Sequence, residues 1–452
     1  MTKRKYNPKW ILILTSLGFF MSMMDSMIVT TASTAIRSDF HISVDMLQWA
    51  LNAYNITIAA VLLVGVALGE KYGRRKIYNL GILVFTIGSV LCALSPNIGM
   101  LITARIIQGV GASVMTPMSM AILTNSIPDA ERGKALGIWS GIGGLALIIG
   151  PSLGGLIVSQ LSWQWIFWIN VPIGIVTIFL SNKFLPESKG SSSPIKPLDA
   201  LLVIISFATM ILSLTEITTS KNIMLPLAIG AFSILIGIWF IIRQHHEKYP
   251  MIPLNLFKSR IFSGGNIATF MLYASMYGVV FFLPQFLQTV AHNNALGAGL
   301  KILPWTGTLV VVAPFAGKAV DRFGEKIIAI LGLLLQGLGY LLLAIFVTAQ
   351  TSYAVMVIPL IISGAGLSMA GPALQKAVLD AVNKQEIGKA SGIYNVFRLL
   401  GGAVGTAIAV IVFYKFGGII STLLFANGFK AAMLSSAIVS FIGMFFCIRF
   451  KR

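Results

Sequence analysis

Fourteen apolar runs of about 20 residues, joined by short polar connections, leave this chain almost no choice of architecture. In hydrocarbon each backbone N–H and C=O must be bonded within the protein, so runs of this length cross a bilayer as helices. Charged residues are only 10% of the chain, and no connection is long enough to bury a soluble core. The expected fold is an all-α polytopic membrane protein. Its spans are expected near residues 10–34, 44–67, 77–95, 98–122, 136–158, 163–181, 198–215, 223–242, 262–288, 299–316, 327–348, 353–373, 391–413 and 431–448.

An even number of spans returns both termini to one face. Most of the 33 Lys and Arg fall in the tails and even-numbered connections, while the opposite face keeps Arg37, Lys221, Lys301, Lys415 and Lys430. By the positive-inside rule both termini are expected in the cytoplasm, and the multi-pass protein in the plasma membrane. The formal charge of +19 is then accounted for by topology and anionic lipid, with no nucleic-acid partner required. The first run is too long for a cleaved signal peptide and lacks a small-residue cleavage site, so it is expected to stay as a signal anchor.

Inside that first run stands a lone carboxylate, Asp25. An ionisable group at membrane depth costs several kcal/mol, which marks it as a functional residue, here a proton site. Gly18, Met21, Ser22, Asp25 and Val29 share a helical face that is expected to line a cavity, with Trp49, Asn52 and Tyr54 opposite on the second helix. Gln108 on the fourth helix, a stripe of Asn266, Phe270, Tyr273, Tyr277 and Phe281 on the ninth, and Asn395 on the thirteenth complete the expected substrate contacts. Aromatic faces and adaptable methionines suit promiscuous binding, and the same residues equally suit helix packing.

A repeat divides the chain. Glu70-Lys71-Tyr72-Gly73-Arg74-Arg75 follows the second span, and Gly317-Lys318-Ala319-Val320-Asp321-Arg322-Phe323-Gly324 follows the tenth. The separation of Gly73 and Gly324 exceeds a six-helix half by two spans. The expected organisation is a six-helix half over 1–181, a flexible linker over 182–197, two extra helices over 198–242, a second linker over 243–261 and the other half over 262–452. Each glycine permits a sharp turn between helices, and acid beside base latches a helix end to its neighbour in one conformational state.

That loop resembles motif A of the major facilitator superfamily, although Val66 and Glu70 replace the first copy's leading Gly and Asp. Arg105-Ile-Ile-Gln108-Gly109 resembles its motif B, in which a buried arginine accompanies the proton-bearing carboxylate. Gly150-Pro151-Ser-Leu-Gly154-Gly155 resembles motif C, the antiporter signature, where small residues let helices approach closely. With Trp163-Gln-Trp165-Ile-Phe167-Trp168-Ile-Asn170 and Tyr394-Asn395-x-x-Arg398-x-x-Gly401-Gly402, the whole chain is similar to the fourteen-helix drug:H+ antiporter family 2.

The resemblance implies proton-driven export of lipophilic, cationic compounds such as dyes, quaternary ammonium disinfectants and some fluoroquinolones. Relatives often carry a second acid on the thirteenth helix, where this chain has Asn395 and no Asp or Glu at membrane depth. Proton and cation are expected to compete at Asp25, since burial favours the protonated acid and a nearby positive charge the carboxylate. Arg105 is expected in proton coupling and Arg398 in a conformational latch. Uptake by symport is the alternative on the same fold.

Other classes lack their residues. Gly133-Lys134, Gly317-Lys318 and Gly388-Lys389 are each followed by Ala, so no phosphate-cradling loop is present and no ATP is expected. Only one acid lies deep and the four histidines fall in connections, so neither an enzyme nor a metal or cofactor site is expected.

Overall fold

The computed structural model describes residues 7–42, 44–190, 196–219, 223–248, 250–293, 295–448 and 450; Lys221 and the side chain of Pro151 lie outside this description. The described residues form fourteen long helices and no strand: α1 (Pro8–Phe40), α2 (Val44–Tyr72), α3 (Arg74–Ala93), α4 (Ile98–Ser126), α5 (Arg132–Gln160), α6 (Trp165–Phe184), α7 (Pro197–Thr219), α8 (Met224–His246), α9 (Arg260–Thr289), α10 (Ala295–Phe323), α11 (Glu325–Phe346), α12 (Tyr353–Asp380), α13 (Ile387–Phe416) and α14 (Thr422–Ile448). Within α6 a one-turn piece, Trp165–Trp168, is offset at Ile169 from the main helix. Thirteen are long and apolar enough to cross a membrane when only described residues are counted, and undescribed side-chain positions interrupt α5 in that count.

The helices outrun the apolar segments. α1, α9 and α13 have 33, 30 and 30 residues, or about 45 Å or more against a hydrocarbon core of ~30 Å. Their ends project beyond lipid, where hydropathy no longer marks them.

Helices α1–α6 and α9–α14 repeat one packing scheme. In the first half α1 lies on α5 and α4, α2 and α3 lie on α4, and α6 lies on α3; in the second, α9 lies on α13 and α12, α10 and α11 on α12, and α14 on α11. The repeat extends to the turns, because Gly73 (φ +119°) and Gly324 (φ +85°) are the two described glycines with positive φ. Each breaks the chain between consecutive helices in a conformation that costs a side-chain-bearing residue about 1 kcal/mol or more.

Two seams join the halves, α5 on α10 and α2 on α13. The first is built on small residues: Gly133, Gly137 and Gly141 of α5 face Ala313 and Gly317 of α10, and a Cβ on Gly137 would lie 2.6 Å from the Ala313 carbonyl oxygen. One-turn spacing of small residues lets two backbones approach this closely. Gly150 and Gly154, further along α5, lie instead against Met27 and Ile28 of α1, and Gly155 faces open space.

α7 and α8 form a hairpin, tied by Ser213 and Ser233 hydroxyls donating to the Pro226 and Ser206 carbonyls at 2.7 Å and by the Asp199–Arg243 ion pair at 2.8 Å. α7 leans on α2 and α13, so the hairpin covers the second seam.

The chain after α6 was expected to be a flexible linker, and residues 185–190 are instead pinned beneath the α2–α3 turn. The Glu187 carboxylate accepts from the Arg75 and Lys76 backbone N–H groups at 3.0 and 3.2 Å, capping α3. Ser188 O accepts from Arg74 N at 2.9 Å. A helix start leaves several N–H groups free, and an acid from a neighbouring segment satisfies them as well as a local cap does.

Gly137→Val should overpack the first seam by about 1–3 kcal/mol. A lower apparent melting temperature of the detergent-solubilised protein checks this, with Gly155→Ala, placed in open space, as the variant expected to leave it unchanged.

Candidate functional site

The carboxylate of Asp25 is wholly buried within the first half. Arg105 Nη1 of α4 donates to its Oδ2, Gln108 Nε2 donates to Oδ1 at 2.7 Å, and Asn170 Nδ2 of α6 donates to the same Oδ1 at 3.2 Å. The shell continues outward. Arg105 Nη1 also donates to Gln108 Oε1 at 2.6 Å, Gln108 Nε2 donates to Ser89 Oγ at 2.8 Å, and the guanidinium lies 4.1 Å from the centre of the Tyr54 ring.

Two helices supply the donors to the carboxylate for local reasons. Arg105 and Gln108 are three residues apart on α4 and therefore share a face. The offset at Ile169 puts Asn170 at the first position of the main α6 helix, aimed at α1. The carboxylate has three donors, one of them the guanidinium of Arg105, and removal of either charge of that buried pair strands the other.

The face of α1 that was expected to line a cavity points into the first half. Gly18 lies against Tyr78, Ser22 Oγ is 3.1 Å from the Tyr54 hydroxyl, and Asp25 meets Arg105. Phe19 and Met23, on the other side of α1, face the central cavity between the halves. This cavity measures about 120 Å3, room for several waters. Trp139 of α5 stacks on Phe19 at 3.9 Å, and Tyr273 and Tyr277 of α9, Gln375 of α12 and Arg398 of α13 complete the wall.

Among the predicted substrate contacts, Tyr273 and Tyr277 stand on that wall and the others do not. Met21 is packed in the first half's core. Ser22, Tyr54 and Gln108 belong to the Asp25 network, while Trp49 is 46% exposed at the far end of α2. Asn52 is half-buried on α2, and the Phe270 backbone abuts Gly401. Asn266 and Asn395 turn their amides back to the carbonyls of Phe262 and Ser391 one turn earlier. Periodicity groups residues by face and leaves open which neighbour the face meets.

The residues of the two motif A loops gather at the face that carries both termini, where they close the gap between the halves. Glu70 accepts from Arg74 at 2.7 and 3.1 Å, with both side chains buried, and its carboxylate rests against Gly388 in the first turn of α13. In the related position of the second half, Asp321 accepts from the Gly133 and Lys134 backbone N–H groups at 2.9 Å, at the first turn of α5. Each acid thus sits at the electropositive start of a helix from the other half.

Arg322 is stacked on Phe323, and Arg75 reaches the Leu185 carbonyl at 3.0 Å. Arg132 adds a third tie, donating to Asp380 of α12 at 2.7 Å. Sequence reasoning missed Arg132, Glu187, Gly388 and Asn170 as contributors. Asn170 stood in a quoted motif without a role, and the others act across distances in the chain that no spacing reveals.

The sequence profile of the Major Facilitator Superfamily matches residues 15–406 and, again, 265–452. The chain belongs to the Major Facilitator Superfamily. It is a multi-pass membrane transporter and not an enzyme. Multidrug resistance protein Stp of Mycobacterium tuberculosis is 32% identical over 88% of this chain and 74% of its own length. Riboflavin transporter RibZ of Clostridioides difficile is 32% identical over 98% of both chains, and Multidrug transporter protein MdtP of Bacillus subtilis is 31% identical over 90% and 75%. Among solved structures, the proton:xylose symporter XylE superposes with a TM-score of 0.73 at 16% identity, over 98% of this chain and 95% of that one.

For a transporter of this superfamily the buried pair gives a direct stability test. Asp25→Asn leaves the Arg105 guanidinium buried without a counter-charge, a loss of about 3–5 kcal/mol. The double variant Asp25→Asn with Arg105→Met should recover part of it in thermal unfolding, whereas a double variant no more stable than Asp25→Asn would contradict the pairing.

Proposed function

We propose that this transporter exports amphipathic aromatic compounds from the cytoplasm across the plasma membrane in exchange for protons, with Asp25 as the proton carrier and the termini face inside. The reading rests on α1, which bears the Asp25–Arg105 pair on one side and the cavity residues Phe19 and Met23 on the other. Protonation of Asp25 removes the counter-charge of a buried guanidinium and favours a different packing of α1. Phe19 and Met23 move with the helix. Proton and substrate therefore act on the position of one element instead of contesting one carboxylate, which replaces the direct competition expected from the sequence.

The magnitudes are compatible. Each entering proton supplies about 2.3 kcal/mol per 100 mV and about 1.4 kcal/mol per pH unit, against about 3–5 kcal/mol for breaking a buried pair. In alternating access, the ties of Glu70, Asp321 and Arg132 hold the termini face shut while the substrate leaves, and they part when the cavity reopens to the cytoplasm.

The multidrug relatives Stp and MdtP support drug-like cargo. RibZ, matched over 98% of its length, supports a second reading, the carriage of a planar vitamin-like compound, with uptake by symport as its direction.

Reconstituted vesicles with an imposed pH gradient, tested with ethidium, riboflavin and fluorescein, distinguish the readings by spanning positive, neutral and negative planar cargo. Gradient-driven movement of at least one of them against the proton flow, reduced about tenfold or more by Asp25→Asn, is the expected result. Transport of riboflavin alone, in the direction of the protons, would favour the second reading, and an undiminished Asp25→Asn variant would remove Asp25 from coupling.

A further inference from the structure

We propose that the central cavity selects planar aromatic compounds bearing an acidic group, which Arg398 binds, and that it disfavours cations. The inference deepens the reading of this cavity as the cargo site and rests on it.

Arg398 lies on α13 and is 8% exposed, facing the cavity. Its guanidinium is 5.4 Å from the Phe19 ring centre and 5.8 Å from that of Tyr273, and among the described residues no carboxylate pairs with it. The other deep arginine, Arg105, is matched by Asp25. Among the described residues no Asp or Glu lines the cavity, and its remaining polar groups are neutral: tyrosine hydroxyls, Ser140, Ser368 and the Gln375 amide. Asp25 cannot serve as a shared counter-charge, because it faces away from the cavity across α1 and is already bonded to Arg105, Gln108 and Asn170.

A guanidinium held among aromatic faces with no anion is an unmet demand at membrane depth. A carboxylate, sulfonate or phosphate meets it with a two-point hydrogen bond that a lysine could not match. Tyr273, Tyr277, Trp139 and Phe19 offer stacking surfaces beside it for a flat ring system. A cationic cargo meets the same charge as repulsion in a low-dielectric space. The expectation of cationic substrates drawn from family resemblance therefore finds no counter-charge on this wall.

Three anthracenes that differ only in charge give the test: 9-anthroate, 9-anthracenemethanol and 9-anthracenylmethylammonium. Their binding to the full-length protein in nanodiscs is read by energy transfer from tryptophan, with empty discs subtracted, for the wild type, Arg398→Gln and Arg398→Lys. The wild type should bind the anion about tenfold or more tighter than the cation, with the alcohol between them. Arg398→Gln should abolish that ranking while leaving alcohol binding within about twofold. Arg398→Lys should keep the ranking with weaker anion binding.

A wild type that prefers the cation, or binds none of the three, overturns the proposal, as does an anion affinity unchanged in Arg398→Gln. If Arg398→Gln loses all binding, Arg398→Lys decides, because a lost charge ranking there overturns the proposal and a retained one supports it. No gradient enters this measurement, so its outcome does not depend on proton coupling. Failure of the charge selection and failure of proton coupling are thereby read separately.

Discussion

Backbone contact between α5 and α10 sets the geometry on which the other features depend. Gly133, Gly137 and Gly141 meet Ala313 and Gly317 without intervening side chains, and that approach brings Asp321 to the start of α5. In hydrocarbon there is little hydrophobic force between helices, so close packing and satisfied polar groups hold them together. The seam supplies both. With α2 and α13 meeting on the opposite side, the halves are drawn together at the termini face, and the cavity is left between α1, α5, α9, α10, α12 and α13.

α1 joins the charge chemistry to the cavity. Its inward side is fixed by Tyr78, Tyr54 and Arg105, its cavity side carries Phe19 stacked on Trp139, and α5 runs along it at Gly150 and Gly154. A change at Asp25 is therefore felt by an element that touches the seam helix α5 and the cavity at once. Rigid packing makes such an element switch between arrangements instead of deforming gradually.

Much of the fold was legible. The number of long helices, the internal duplication through Gly73 and Gly324 and the two extra helices between the halves followed from run lengths and one repeated loop. The residues of the buried pair were legible too, because an acid and an arginine at membrane depth each require a partner. The cavity was not. In a helix that is apolar on every side, no polar stripe tells which side meets protein, lipid or a gap, and the face containing Asp25 was assigned to the cavity when it belongs to the core. Ties between residues such as Arg132 and Asp380, or Glu187 and the start of α3, join segments whose spacing carries no periodic signal.

The sequence by itself determined that this chain spans a membrane in two related halves and that Asp25 and Arg105 must be compensated there, because the bilayer penalises every unpaired polar group whatever the detailed packing. Only the tertiary structure decided how each helix is rotated about its own axis, and with it that Asp25 turns inward while Arg398 faces the cavity with no acid beside it among the described residues. The cause is geometric: helical periodicity fixes which residues share a face, whereas the direction of that face depends on contacts with helices that are distant in the chain.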